Sequence, residues 1–244
     1  KVVTIMKIEI LYSEICNLYG DYYNHIYLEK NLSDKTIYKT SLYDTPKFIN
    51  EDIDLIYIGS ASETNQLLII EKLMPYKEKL KEMIENNKVI IATGNSFEIF
   101  GKYIYDETLK QEIPCLNIFD YYAKRDMNKR HNSLFLGEFN NFSVVGHKSQ
   151  FSFIYGVNED NMLFKLNRGT GNNKEQAYEG FKYKNFYGTY VLGPLLVFNP
   201  LFTKYIFKIL NIDKKLIFEE EAMDAYKFRL KEFQDPKTEM GSKH

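Results

Sequence analysis

Lys88-Val-Ile-Ile-Ala-Thr-Gly-Asn-Ser-Phe-Glu-Ile-Phe-Gly101 decides the fold. Val89 to Ala92 is a short β-branched, fully apolar run, the pattern of a strand covered on both faces. Thr93-Gly94-Asn95 reads as a tight turn, with glycine available for a positive φ. Ser96 to Phe100 opens the next helix. Such a strand–turn–helix projects the central side chain of the turn above the edge of a sheet. Helix N-terminal and backbone N–H groups there can stabilise an anion. The same spacing also describes an ordinary strand–helix connection, and the segment by itself does not choose between the two.

Working outward, apolar strand patterns alternate with helical ones. Strands are expected at Ile8–Leu11, Ile37–Ser41 and Ile53–Ile58, and helices at Asp21–Asn31, Glu63–Leu73 and Pro75–Asn86. This order implies a mostly parallel sheet with crossover helices. After residue 115 the pattern breaks into short strand-like pieces at Leu134–Phe139, Ser143–Val145 and Phe186–Val191, and a helix follows from Asn199 to about Leu210. The expected division is one domain over residues 6–210 and a helical appendage over 211–244. The latter carries a charged helix at Phe218–Phe233 ended by Asp235-Pro236. Residues 1–5 and 241–244 read as an extension or a vector-derived remnant.

Composition narrows the function classes. The chain has 244 residues, 44% hydrophobic and 27% charged, with net charge -1. That balance gives no electrostatic basis for a nucleic-acid or membrane surface. No run approaches the 18–20 apolar residues of a membrane span. Two cysteines, Cys16 and Cys115, make no disulfide framework and suit a reducing, cytoplasmic setting. Cysteine and histidine spacing shows no metal signature, and no cofactor is expected.

Four further segments carry a resemblance: Leu11-Tyr-Ser-Glu-Ile-Cys-Asn-Leu-Tyr-Gly-Asp21, Ile58-Gly-Ser-Ala-Ser-Glu-Thr-Asn-Gln66, Gly169-Thr-Gly-Asn-Asn173 with Glu179-Gly180, and Gly188-Thr-Tyr-Val-Leu-Gly-Pro-Leu-Leu196. Together with the 88–101 turn they resemble, in order, the class I glutamine amidotransferases of the cobyric acid synthase branch. The small subunit of lipid II isoglutaminyl synthase is the nearest pattern. The resemblance implies a flavodoxin-like α/β fold, a mostly parallel sheet flanked by helices, with a helical C-terminal tail.

It also implies where chemistry belongs. In the family's register Gly94 stands at the nucleophilic cysteine, Asn95-Ser96 at a glycine pair and Glu98 at a glutamine. Leu192 stands at the catalytic histidine. Val144-Val-Gly-His-Lys-Ser-Gln150 falls on a further loop, with Gln150 where that loop has histidine. Glutamine amidotransfer needs a thiolate to attack the amide carbonyl and a base to manage the proton. Glycine and leucine supply neither. Losing even one member of such a constellation costs several orders of magnitude in rate.

Three readings follow. In the first, the chain is a degenerate amidotransferase-like subunit that binds or regulates a Mur-ligase-like partner in cell-wall metabolism. In the second, it is an active subunit with displaced groups, drawing on Cys16 and His147. In the third, it uses the vacated pocket to bind glutamine or a related amide. The candidate pocket residues are Ser60, Thr93, Gly94, Asn95, Ser96, Glu98, His147, Gln150, Asn172 and Leu192. Several have plain structural alternatives. Ser96 suits a helix N-cap and Glu98 a first-turn carboxylate facing the dipole. Cys16 suits a small core residue. His25 and His131 are expected at the surface, and Gly169–Asn173 suits a glycine-permitted loop.

Overall fold

The computed structural model describes residues 5–241. The proposed remnant residues 1–4 and 242–244 lie outside that range. The chain contains, in order, strands β1 (Lys7–Leu11), β2 (Thr36–Thr40), β3 (Leu55–Ile58), β4 (Val89–Thr93), β5 (Tyr103–Asp106), β6 (Gln111–Pro114) and β7 (Tyr122–Arg125). The second half adds β8 (His131–Phe139), β9 (Phe142–Gln150), β10 (Ser152–Tyr155), β11 (Phe164–Arg168), β12 (Tyr178–Glu179), β13 (Phe181–Tyr183) and β14 (Phe186–Thr189). The α-helices are α1 (Tyr22–Asn31), α2 (Glu63–Leu73), α3 (Lys77–Glu85), α4 (Leu195–Phe198), α5 (Pro200–Ile209) and α6 (Glu219–Gln234).

The main sheet has the order β13-β14-β4-β3-β1-β2. Its pairs are parallel except for the β13–β14 hairpin at one edge. The order β2-β1-β3-β4-β14 is the doubly wound, flavodoxin-like arrangement. Every residue of β3 and β4 is buried, which explains their unbroken apolar runs. Alternation sends Ile56, Ile58, Ile90, Ala92 and Phe186 to one face, with the apolar sides of α2 and α3. Leu55, Tyr57, Val89, Ile91 and Tyr187 face the other way, with α1, α4 and α5. The carboxyl ends of β1, β3, β4 and β14 lie side by side, the edge where such folds place ligands.

The structure departs from the sequence reading in two places. The segment after Thr93 is a seven-residue 3-10 helix, Gly94–Phe100, that stops at Gly101 instead of opening a longer helix. Residues 103–179 build two four-stranded sheets, β10-β7-β5-β6 and β12-β11-β8-β9, where only fragments were foreseen. Their strands pair across long sequence separations, so local alternation is weak. Helix α6 lies on β8 and β9 through Tyr226 and Phe233 against Leu136 and Val145. Arg168 ties down the chain beyond it, donating to the carbonyls of Phe233 (2.6 Å), Asp235 (2.6 Å) and Thr238 (2.8 Å).

Candidate functional site

At the carboxyl end of β4 the chain turns with Gly94 at φ 61. A Cβ built there would stand 2.4 Å from the Ser60 Cβ and 3.5 Å from Leu192 Cδ2. The three positions therefore converge from three strand ends: Ser60 after β3, Gly94 after β4 and Leu192 after β14. Ordinary carbon–carbon contact lies at about 3.5–4.0 Å. No side chain can stand at 94 while Ser60 keeps its place.

The turn after β3 is closed onto the elbow by its own hydrogen bonds. Asn95 Oδ1 accepts from the Ala61 N–H (3.0 Å), and Asn95 Nδ2 donates to the Ala61 carbonyl (2.8 Å). The Ser60 N–H donates to Asp21 (2.8 Å), and Ser60 Oγ donates to the Leu18 carbonyl (2.9 Å). The Ser60 and Ala61 N–H groups beside the elbow are thus already partnered. The crevice enclosed by Tyr19, Ser60, Gly94, Gln150, Phe151 and Leu192 holds about 10 Å³. That is no more than a single water occupies. The open pocket expected from the missing cysteine and histidine is therefore filled by Ser60, Leu192 and the Asn95 clamp.

Residues 7–200 match the CobB/CobQ-like glutamine amidotransferase domain. The chain belongs to that family. It is 28% identical over 215 residues to the Staphylococcus aureus lipid II isoglutaminyl synthase (glutamine-hydrolyzing) subunit GatD, covering 87% of each chain. The Streptococcus pneumoniae protein of the same name is 28% identical over 201 residues, covering 78% of this chain and 75% of that one. A probable cobyric acid synthase from Methanococcus maripaludis is 25% identical over 181 residues, covering 68% of this chain and 36% of that one. Among solved structures, PurLQS from Thermotoga maritima superimposes with a TM-score of 0.57 at 14% identity, covering 85% of this chain and 99% of that one. A glutamine amidotransferase crystal structure gives 0.57 at 13%, with 84% and 99% covered. At these identities the structures speak for the fold alone.

Within this family fold, six of the ten candidate pocket residues line the crevice: Ser60, Gly94, Asn95, Glu98, Gln150 and Leu192. The other four serve elsewhere. Thr93 Oγ1 donates to Asp21 (2.6 Å). Ser96 caps no helix; its Oγ donates to the Gly59 carbonyl (2.6 Å). Asn172 is buried and exchanges hydrogen bonds with Gly180. His147 forms an antiparallel bridge with Leu192, and the residue borders an open cleft with Ser133, Leu134 and Met240.

Glu98 is not a surface carboxylate answering a helix dipole. It is buried, accepts from Tyr190 Oη (2.9 Å) and Gln66 Nε2 (3.1 Å), and pairs with Arg125 Nη2 (3.2 Å). Arg125 also donates to Gln66 Oε1. A second buried pair, Lys148–Glu179 (3.7 Å), lies on the other side of Tyr190. Burial pushes the Lys148 ammonium down to about 8 and the Glu179 carboxyl up. Asp21 accepts from Asn24, Ser60 and Thr93, yet full burial still raises it to about 6. The network reaches the family's glycine–proline loop, because Asn24 Oδ1 accepts from the Leu196 N–H (2.8 Å).

Displaced catalytic groups find no support here. Cys16 is in the core, and burial pushes its thiol far up, the opposite of an activated nucleophile. Cys115 is buried likewise and its thiol is also pushed up. Neither Cys16 nor His147 lines the crevice. His25, expected at the surface, is buried against Tyr22, with Nδ1 3.2 Å from Glu29. Among the described residues, no group of three or more His, Cys, Asp and Glu side chains could hold a metal ion. No helix of the described residues is long and apolar enough to cross a membrane. The sequence motifs gave the strand ends. The candidate residues left out Asp21 and Tyr190, although two of the motifs contain them, and Arg125, which only long-range contacts bring to the site.

Proposed function

We propose that this chain is an amidotransferase-fold subunit that does not hydrolyse glutamine and acts as a binding or regulatory partner of a Mur-ligase-like enzyme in cell-wall precursor amidation. One observation carries the reading. The place of a nucleophile side chain at position 94 is occupied by the Cβ of Ser60, with Leu192 opposite instead of a base. Attack on an amide needs a nucleophile and a proton acceptor, and Gly94 and Leu192 supply neither. The assignment to cell-wall amidation is supported by the names of the bacterial relatives at 28% identity. The partner follows from the family pattern, in which the amidotransferase subunit works beside a ligase that activates a peptide-stem carboxylate with ATP in the cytoplasm.

Ammonia release from glutamine by the purified chain, alone and mixed with a Mur-ligase-like protein from the same genome, tests the proposal. The expected result is no release above the rate without protein in either mixture, together with co-elution of the two proteins. Robust turnover would remove the loss of chemistry from consideration. Failure to co-elute would remove the partner.

A further inference from the structure

A broad concavity lies beside the elbow and shares Phe151 with it. It is an open groove of about 720 Å³, within the size range of small-molecule sites. Its floor is the outward face of β10 and β7, where period-two alternation sets Phe153, Tyr155 and Lys124 on one side. Tyr155 stacks on Tyr122 (5.7 Å, 21°), and Tyr122 on Tyr103 (5.1 Å, 24°), forming an aromatic row across the sheet. His131 leans on Phe153 (5.4 Å), and burial with Lys148 and Lys174 nearby pushes it down to about 4, so it is uncharged.

The rim is cationic although the chain as a whole is not. Four cations reach the groove: Lys124, Lys129, Arg130 and Lys174. Asp126 is paired with Lys129 (2.9 Å), leaving Glu107 as the only other carboxylate of the wall. Lys124, Arg130 and Lys174 form no ion pair among the described residues. Lys124 Nζ stands 4.9 Å over the Tyr155 ring, and Arg130 is held between Tyr19 (5.3 Å) and Phe151 (5.4 Å). Lys124 and Lys174 are both exposed. Unpaired cations beside half-buried aromatic faces suit a ligand with a planar ring at one end and negative charge at the other. Lysine ammonium groups bind phosphate as point charges, and aromatic faces accept a flat heterocycle.

We propose that this groove binds a nucleoside phosphate, its base against Phe153 and Tyr155 and its phosphates at Lys124 and Lys174. The proposal is independent of whether the elbow turns over glutamine. Isothermal titration with ADP, adenosine and pyrophosphate tests it on the full chain. ADP is expected to bind at least tenfold more tightly than either fragment, and the double variant Lys124→Glu/Lys174→Glu to weaken ADP at least tenfold. Tyr155→Ala is expected to weaken ADP and leave pyrophosphate unchanged. Far-ultraviolet circular dichroism checks that each variant is folded; both lysines are exposed, so the charge reversal leaves the core intact. Absence of ADP binding overturns the proposal. So does ADP binding that survives the charge reversal, or pyrophosphate binding as tightly as ADP, which would mark a simple anion patch.

Discussion

Adding one methyl group at the elbow tests whether Ser60 has closed the site. In Gly94→Ala the new Cβ would stand 2.4 Å from the Ser60 Cβ, at least 1 Å inside normal contact. Two costs add. An L-residue in the left-handed region costs about 1–2 kcal/mol. Overpacking a filled, buried site costs about 1–3 kcal/mol. The expected loss is therefore about 2–5 kcal/mol, a large part of the stability of a typical domain. At about 2–4 °C per kcal/mol for a chain of this size, the melting temperature should fall by about 4–20 °C. Ser60→Gly removes the overlapping carbon but also the Oγ bond to the Leu18 carbonyl, a loss of about 1 kcal/mol by itself. Urea unfolding of the two single variants and the double variant closes the cycle. The double variant should recover the packing share, giving a favourable coupling of about 1–3 kcal/mol. A cycle additive to within about 0.5 kcal/mol, or a Gly94→Ala protein as stable as the parent, would refute the idea that Ser60 fills the place of the nucleophile.

Three further outcomes follow from the same geometry. Arg125→Met leaves Glu98 charged and buried without its cation, so urea unfolding should show a loss of about 3–5 kcal/mol. Asp21 has a folded value near 6 against 3.8 for the free side chain, so the folded state holds the extra proton between about pH 4 and pH 6. Its contribution is therefore fullest below pH 4 and falls as pH rises through 6, by about 3 kcal/mol. Asp21→Asn should flatten that slope in melting temperatures measured from pH 4 to pH 7; an unchanged slope would assign it to other groups. Arg168→Ala removes three carbonyl contacts beyond α6, so limited proteolysis should cut near residues 235–241 well before the parent is cut there.

The sequence by itself determined the order of the main strands and crossovers. Their buried runs and amphipathic helices are local signals, and local chemistry carries them. It also determined that positions 94 and 192 lack a nucleophile and a base, because residue identity needs no structure to read. The family motifs placed both positions at strand ends, and the order β2-β1-β3-β4-β14 puts them side by side. The tertiary structure alone decided what surrounds Gly94 and Leu192. Sequence reasoning expected an open pocket; the structure has Ser60 and Leu192 filling it and Asn95 clamping the turn across 34 residues of sequence. Glu98 looked like a helix-dipole carboxylate because its partner Arg125 lies on β7, in a sheet whose pairing no local pattern announces. His25 looked exposed on a weakly amphipathic helix and is buried by its neighbours. The cationic groove was invisible for the same reason. A net charge of -1 averages over the surface, whereas Lys124, Arg130 and Lys174 meet only when β7, the loop before β8 and the loop after β11 fold against one another.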